Sequence, residues 1–164
     1  MTANSVTISL PTNALVVISC RSFGLNLQQT TVSLSTSISD TAPQNFVFTG
    51  GGDNVPMLLP DQTDQIDLAP DPTLNSRICT LSFQYSTGGS WTPAVNVQNP
   101  VPTVTPEFSN RPKSKQWVIT SGDGLDGDFD DSAVLIVADE FVWNMDDEAA
   151  GKDYRTHGVA GAMV

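Results

Sequence analysis

The chain has 164 residues, 18 Asp and Glu against 7 Lys and Arg, and a formal net charge of −11. That length suits one domain with a continuous core, and 39% hydrophobic against 15% charged residues excludes a disordered chain. The acidic balance excludes nucleic acid and anionic membrane surfaces as partners, because both demand a basic face, and it favours cations.

Read in chain order, the N-terminal MTANSVTISLPTNALVV lacks both the basic and the long apolar regions of a secretory signal. No apolar run approaches the length needed to cross a bilayer, so no membrane insertion is expected. SVTISL (5–10) alternates, ALVVISC (14–20) is continuously apolar, and QTTVSLSTSI (29–38) alternates again. NFVFT (45–49) stops at Gly50-Gly51-Gly52, which marks a turn. Residues 53–76 carry four prolines and little alternation, and read as a long surface loop. ICTLSFQYS (78–86) turns through Gly88-Gly89 into WTPAVNVQ (91–98), a hairpin pattern. A second proline series in 99–114 reads as an extended crossing. QWVITS (116–121) and SAVLIVA (132–138) follow, with EFVWN (140–144) as one more candidate strand.

Short β-branched runs punctuated by Gly, Pro, Asn and Asp predict an all-β antiparallel sandwich of two packed sheets and roughly nine short strands. It would occupy 1–144, with 145–164 as a C-terminal extension. Cys20 and Cys79, the two cysteines, both fall in strand-like segments. Buried free thiols are the leading reading and one disulfide the other, since spacing does not show whether they meet.

The chemistry concentrates in SGDGLDGDFDDSAVLIV, residues 121–137. Asp123, Asp126, Asp128, Asp130 and Asp131 share one run with Gly124 and Gly127, and an apolar strand follows at once. Calcium takes about six to eight oxygens in irregular geometry, so alternating Asp in a glycine-relaxed loop suits it better than magnesium or zinc. An EF-hand does not fit: Asp131 stands where its glycine is needed and Val137 where its bidentate Glu is needed. Five carboxylates exceed the charge of one divalent ion, so one or two calcium ions are expected. The bland alternative is a solvated acidic turn.

The stretch Gly122-Asp123-Gly124-Leu125-Asp126-Gly127-Asp128-Phe129-Asp130-Asp131 resembles the metal loop of the calcium-mediated bacterial lectins of the LecB type, which bind fucose and mannose. In those proteins the loop has the form E-D-G-T-D-x-D-Y-N-D-A-V and precedes the last strand. SLPTNALVVISCRS, RICTLSFQYSTGGSWTPAVNVQ and KQWVITSGDG resemble other parts of the family more weakly. The resemblance implies that Asp126, Asp128, Asp130 and Asp131 ligate calcium, with Asp128 and Asp131 bridging two ions. It implies that Asp123 and Asp126 hydrogen-bond sugar hydroxyls, that Ser22 and Gly24 lie near the sugar, and that Asn26 adds a further metal oxygen.

The chain also departs from the family. Gly122 replaces its Glu ligand, Asp130 replaces its Asn, and Arg21-Ser22-Phe23-Gly24-Leu25-Asn26 does not reproduce its Ser-Ser-Gly loop. The family closes its neighbour's site with a C-terminal glycine carboxylate across a dimer. Here the chain runs on to Val164, and Asp139, Glu140, Asp146, Asp147 or water are the candidates for that place.

The expectation is therefore a non-enzymatic, calcium-dependent carbohydrate-binding protein, a lectin for glycans carrying fucose or mannose. A homo-oligomer is expected too, because one shallow sugar site is weak and several give avidity. The rival is a structural or adhesin-type sandwich in which calcium only pins a loop. His157, the single histidine, has no G-x-S-x-G elbow or metal-spaced cysteines to work with. Trp91, Trp117 and Trp143 fit core or rim packing better than sugar stacking. Location stays open: no signal is visible, yet millimolar calcium is an extracellular condition, reached by non-classical release or by lysis of the host cell.

Overall fold

The computed structural model describes residues 5–36, 43–94, 96–97, 101–106, 113–122 and 131–140. Within them are twelve strands in two antiparallel sheets: β1 (Ser5–Leu10), β2 (Ala14–Ser22), β3 (Leu27–Ser35), β4 (Gln44–Gly50), β5 (Val55–Pro56), β6 (Gln65–Leu68), β7 (Arg77–Ser86), β8 (Trp91–Pro93), β9 (Asn96–Val97), β10 (Thr103–Thr105), β11 (Lys113–Gly122) and β12 (Ser132–Glu140). The sandwich expected from the sequence is therefore observed, with more strands than the nine anticipated.

The first sheet runs β1-β7-β3-β4, with β8 added to β7; the second runs β10-β11-β12-β2-β5, with β6 also on β2 and β9 on β11. Period-two alternation decides which sheet face each residue takes. Val32, Phe48, Leu81 and Phe83 face inward from the first sheet, and Val16, Ile18, Ile119, Val134 and Ile136 from the second. All are buried, and together they form one core. ALVVISC reads as continuously apolar because β2 sits between β12 and β6, with apolar residues on both of its faces.

Two expectations are corrected. Residues 53–76 are not simply a surface loop: β5 and β6 pair with β2, and Met57, Leu59 and Ile66 are buried in the core. Pro56 and the short lengths confine these to edge strands, which is why alternation is too brief to see. WTPAVNVQ is not one strand, because β8 continues the first sheet and β9 crosses to the second at β11. Its hairpin with β7 is present, and Gly89 takes the positive φ of 93° that this turn requires.

β11 begins at Lys113, inside the expected crossing, and β12 runs on to Glu140. Residues 141–144 of the EFVWN segment, Trp143, His157 and the extension 145–164 lie outside the described residues.

Candidate functional site

At one end of the second sheet the inward positions change from apolar to hydroxyl. Cys20 is followed on its face by Ser22, Ile119 by Ser121, and Val134 is preceded by Ser132. The three serines form one row, Ser22 opposite Ser132 and Ser132 opposite Ser121. All are buried, and the hydroxyls of Ser121 and Ser132 share a 2.6 Å hydrogen bond. Gln28, buried on the facing sheet, donates through Nε2 to the Asn26 carbonyl at 3.3 Å. The core is capped here by satisfied polar groups, which lets the chain above it depart from strand geometry without leaving orphaned donors.

Above the row lie the loop of residues 23–26 and Asp131. The backbone N–H groups of Phe23 and Gly24 both donate to the Asp131 carbonyl, at 2.9 and 3.0 Å. Asp131 N–H donates to Ser121 O at 2.9 Å, and Gly52 N–H to Gly24 O at 3.1 Å. Segments distant in sequence are thereby fixed at one corner by backbone bonds.

Gly24 is needed there for space: a Cβ on it would stand 2.7 Å from Asp131 Oδ1 and 3.1 Å from Gln28 Nε2. The Asp131 carboxylate is therefore turned toward the 23–26 loop. Ser22 is buried beneath that loop, its hydroxyl donating to Gly24 O at 3.4 Å, so in this structure it supports the loop from below.

Of the residues singled out in the sequence, Ser22, Gly24 and Asp131 are brought together here, and Asn26 lies in the same loop with its carbonyl accepting from Gln28. Asp123, Asp126, Asp128 and Asp130 lie outside the described residues, but both flanks of their segment are placed. Gly122 ends β11 and Asp131 precedes β12, at the same end of two adjacent strands. Gly122, where the LecB-type loop has Glu, is a strand residue paired with Asn96.

Among the described residues no three His, Cys, Asp or Glu side chains gather at one place.

The sequence reading missed Ser121, Ser132 and Gln28. Their signal was present as hydroxyl and amide groups at positions where inward alternation calls for apolar residues. Trp117 is in the core, as expected, and Trp91 is exposed. Cys20 and Cys79 are both buried and free.

No family model matches the chain, and neither does any curated protein. Among solved structures it is similar to a high-affinity mannose-binding lectin of Ralstonia solanacearum, with 19% identity and a TM-score of 0.46 over 85% of this chain and 96% of that one. It is similar to the C-terminal domain of the BC2L-C lectin from Burkholderia cenocepacia, with 18% identity and a TM-score of 0.48 over 88% and 99%. A third is the Chromobacterium violaceum lectin CV2L in complex with alpha-methyl-fucoside, with 16% identity and a TM-score of 0.46 over 88% and 98%. Each of the three is a bacterial lectin.

Proposed function

We propose that this chain is a calcium-dependent lectin that binds fucose- or mannose-type units through ions held by Asp126, Asp128, Asp130 and Asp131, and that it is not an enzyme. The observation that supports the reading most is the corner itself. Phe23 and Gly24 are bonded to Asp131, so the 23–26 loop stands beside the end of the acidic segment. In this reading one or two calcium ions neutralise the crowded carboxylates, Asn26 adds an oxygen, and Asp123 and Asp126 accept hydrogen bonds from sugar hydroxyls. Vicinal hydroxyls replace water on the ion, and the ion's charge makes those contacts short and strong. The rim near the sugar comes from the backbone at Gly24, with Ser22 holding it from beneath.

A second reading is favoured by the same bonds. An ion at Asp131 would brace the 23–26 loop against β12 whether or not a sugar binds.

One experiment separates the two: a glycan array in millimolar calcium and again in EDTA, beside a melting curve with and without calcium. Signals on fucosylated or mannosylated glycans that vanish in EDTA are the expected result. A blank array with a melting temperature still raised by calcium would replace the lectin with the structural module.

A further inference from the structure

The outward positions of the first sheet carry no charge. Across β1, β3, β4, β7 and β8 they read Ser, Thr, Gln and Asn with a few apolar residues, in a chain of net charge −11. Most of that face is the ordinary solvated side of an antiparallel sheet. Its last row, at the end where the 23–26 loop enters β3, is different. There Ser86 of β7 stands between Leu27 of β3 and Trp91 of β8. Leu27 is 44% exposed and Trp91 37%. Packing accounts for Trp117, which is buried, but not for Trp91, whose neighbour along its row is a serine.

The register gives this row the form of a trough. Two strand spacings, about 9.6 Å, separate Leu27 from Trp91, with only a hydroxymethyl group between them. Both the wall and the floor are held in place. A Cβ on Gly51 would stand 3.6 Å from Leu27 Cδ1, so Leu27 lies against the Gly51 backbone. Ser86 Oγ accepts from Gly89 N–H at 3.2 Å, which fixes the oxygen and leaves the hydroxyl proton to donate. In the next row Gln84 stands between Gln29 and Pro93, and the two amides can both donate and accept.

The trough also continues the candidate site. Leu27 directly follows the 23–26 loop, which is bonded to Asp131 through Phe23 and Gly24. Three residues of chain from Gly24 to Leu27 span at most about 11 Å. An oligosaccharide anchored at the corner reaches the trough, and a single sugar does not.

We propose that this row is an extended subsite, where the part of a glycan beyond the unit held at the corner lies with a ring against Trp91 and Leu27. Its hydroxyls meet Ser86 and the amides of Gln29 and Gln84. A neutral saccharide is the occupant that fits. A sugar ring has an apolar face of C–H groups and a polar rim, and here apolar walls surround hydroxyl and amide groups. It asks for no charge, and this face has none. An acidic ligand would be repelled by the net charge, and a basic one would be drawn to the carboxylates elsewhere. The inference rests on the carbohydrate reading and adds to it that the ligand is an oligosaccharide.

Calorimetry in millimolar calcium tests it, with methyl fucoside and methyl mannoside against neutral oligosaccharides that end in the same sugars. The oligosaccharides should bind about tenfold more tightly than the methyl glycosides, the gain of one well-seated aromatic contact. Trp91→Ala should remove that gain and leave methyl glycoside affinity unchanged, which also shows that the variant is folded. Trp91→Phe should keep most of the gain. Equal affinities in the wild-type chain overturn the inference and leave the lectin reading standing, and so does a gain that survives Trp91→Ala. Loss of methyl glycoside binding in Trp91→Ala would make Trp91 part of the corner or of the fold, and overturn the separate subsite equally. Wild-type chain that binds neither class of ligand overturns the carbohydrate reading, and this inference with it.

Discussion

Gly24 shows how one missing side chain shapes the candidate site. Its Cα has no room for a methyl group, because the nearest atom is the carboxylate of Asp131. A carboxylate at the end of a rotatable side chain can move, so Gly24→Ala should fold, losing about 1 kcal/mol or less. It should nevertheless turn Asp131 away from its present direction. The expected outcome is calcium affinity reduced about tenfold by calorimetry, since a displaced ligand costs an ion much of one charged contact. Unchanged calcium affinity would remove Asp131 from the ligand set.

The two thiols give a residue-scale prediction of another kind. Burial pushes Cys79 from its ordinary 9.0 up to about 12. Burial raises Cys20 well above that ordinary value too, with Cys79 adding to the effect and the neighbouring Thr30 hydroxyl opposing it. Raised folded-state values mean that the unfolded chain loses these protons first. Their contribution to stability is complete below pH 9 and is lost as pH climbs toward the folded values. Melting temperature should fall between about pH 9 and 11, with less fall in Cys79→Ala relative to its own value at pH 7. A flat alkaline profile would show that the thiols are not held in the core.

At the scale of elements, the sandwich is closed differently at its two ends. The hydroxyl row closes the end near Asp131. At the other, Arg77 at the start of β7 is buried and donates to the carbonyls of Pro11 at 3.3 Å, Ala14 at 3.1 Å and Ala69 at 2.7 Å. It thus joins the β1–β2 turn to the chain after β6. Burial lowers its pKa, and the charge of Asp71 opposes that shift. Arg77→Met keeps the stem and removes the donors, leaving buried carbonyls unpaired at a cost of about 2–3 kcal/mol. A chemical-denaturation midpoint equal to wild type would show that water replaces the guanidinium without loss. Since Arg77 is far from the Asp131 corner, calcium affinity should not change.

For the molecule as a whole, the acidic balance and the fold are linked through placement. An all-β chain can tolerate a strongly acidic run where two strands end together at the surface, and there a cation can relieve the repulsion.

The sequence alone determined the class of fold, because period-two alternation and turn residues are local signals that each strand carries for itself. It also determined the chemistry of residues 123–131, since carboxylate spacing is written in the chain. Tertiary structure decided what local signals do not carry. It put Pro56, Met57 and Ile66 into edge strands and core rather than a loop, because short edges are specified by the strand beside them. It split residues 91–97 between two sheets, and it decided that Ser22 lies beneath the 23–26 loop rather than at its surface. It brought Gly24 to Asp131 through the pairing of β2 with β12. Such contacts join residues far apart in the chain, and the register of long-range pairing, not any local preference, fixes them.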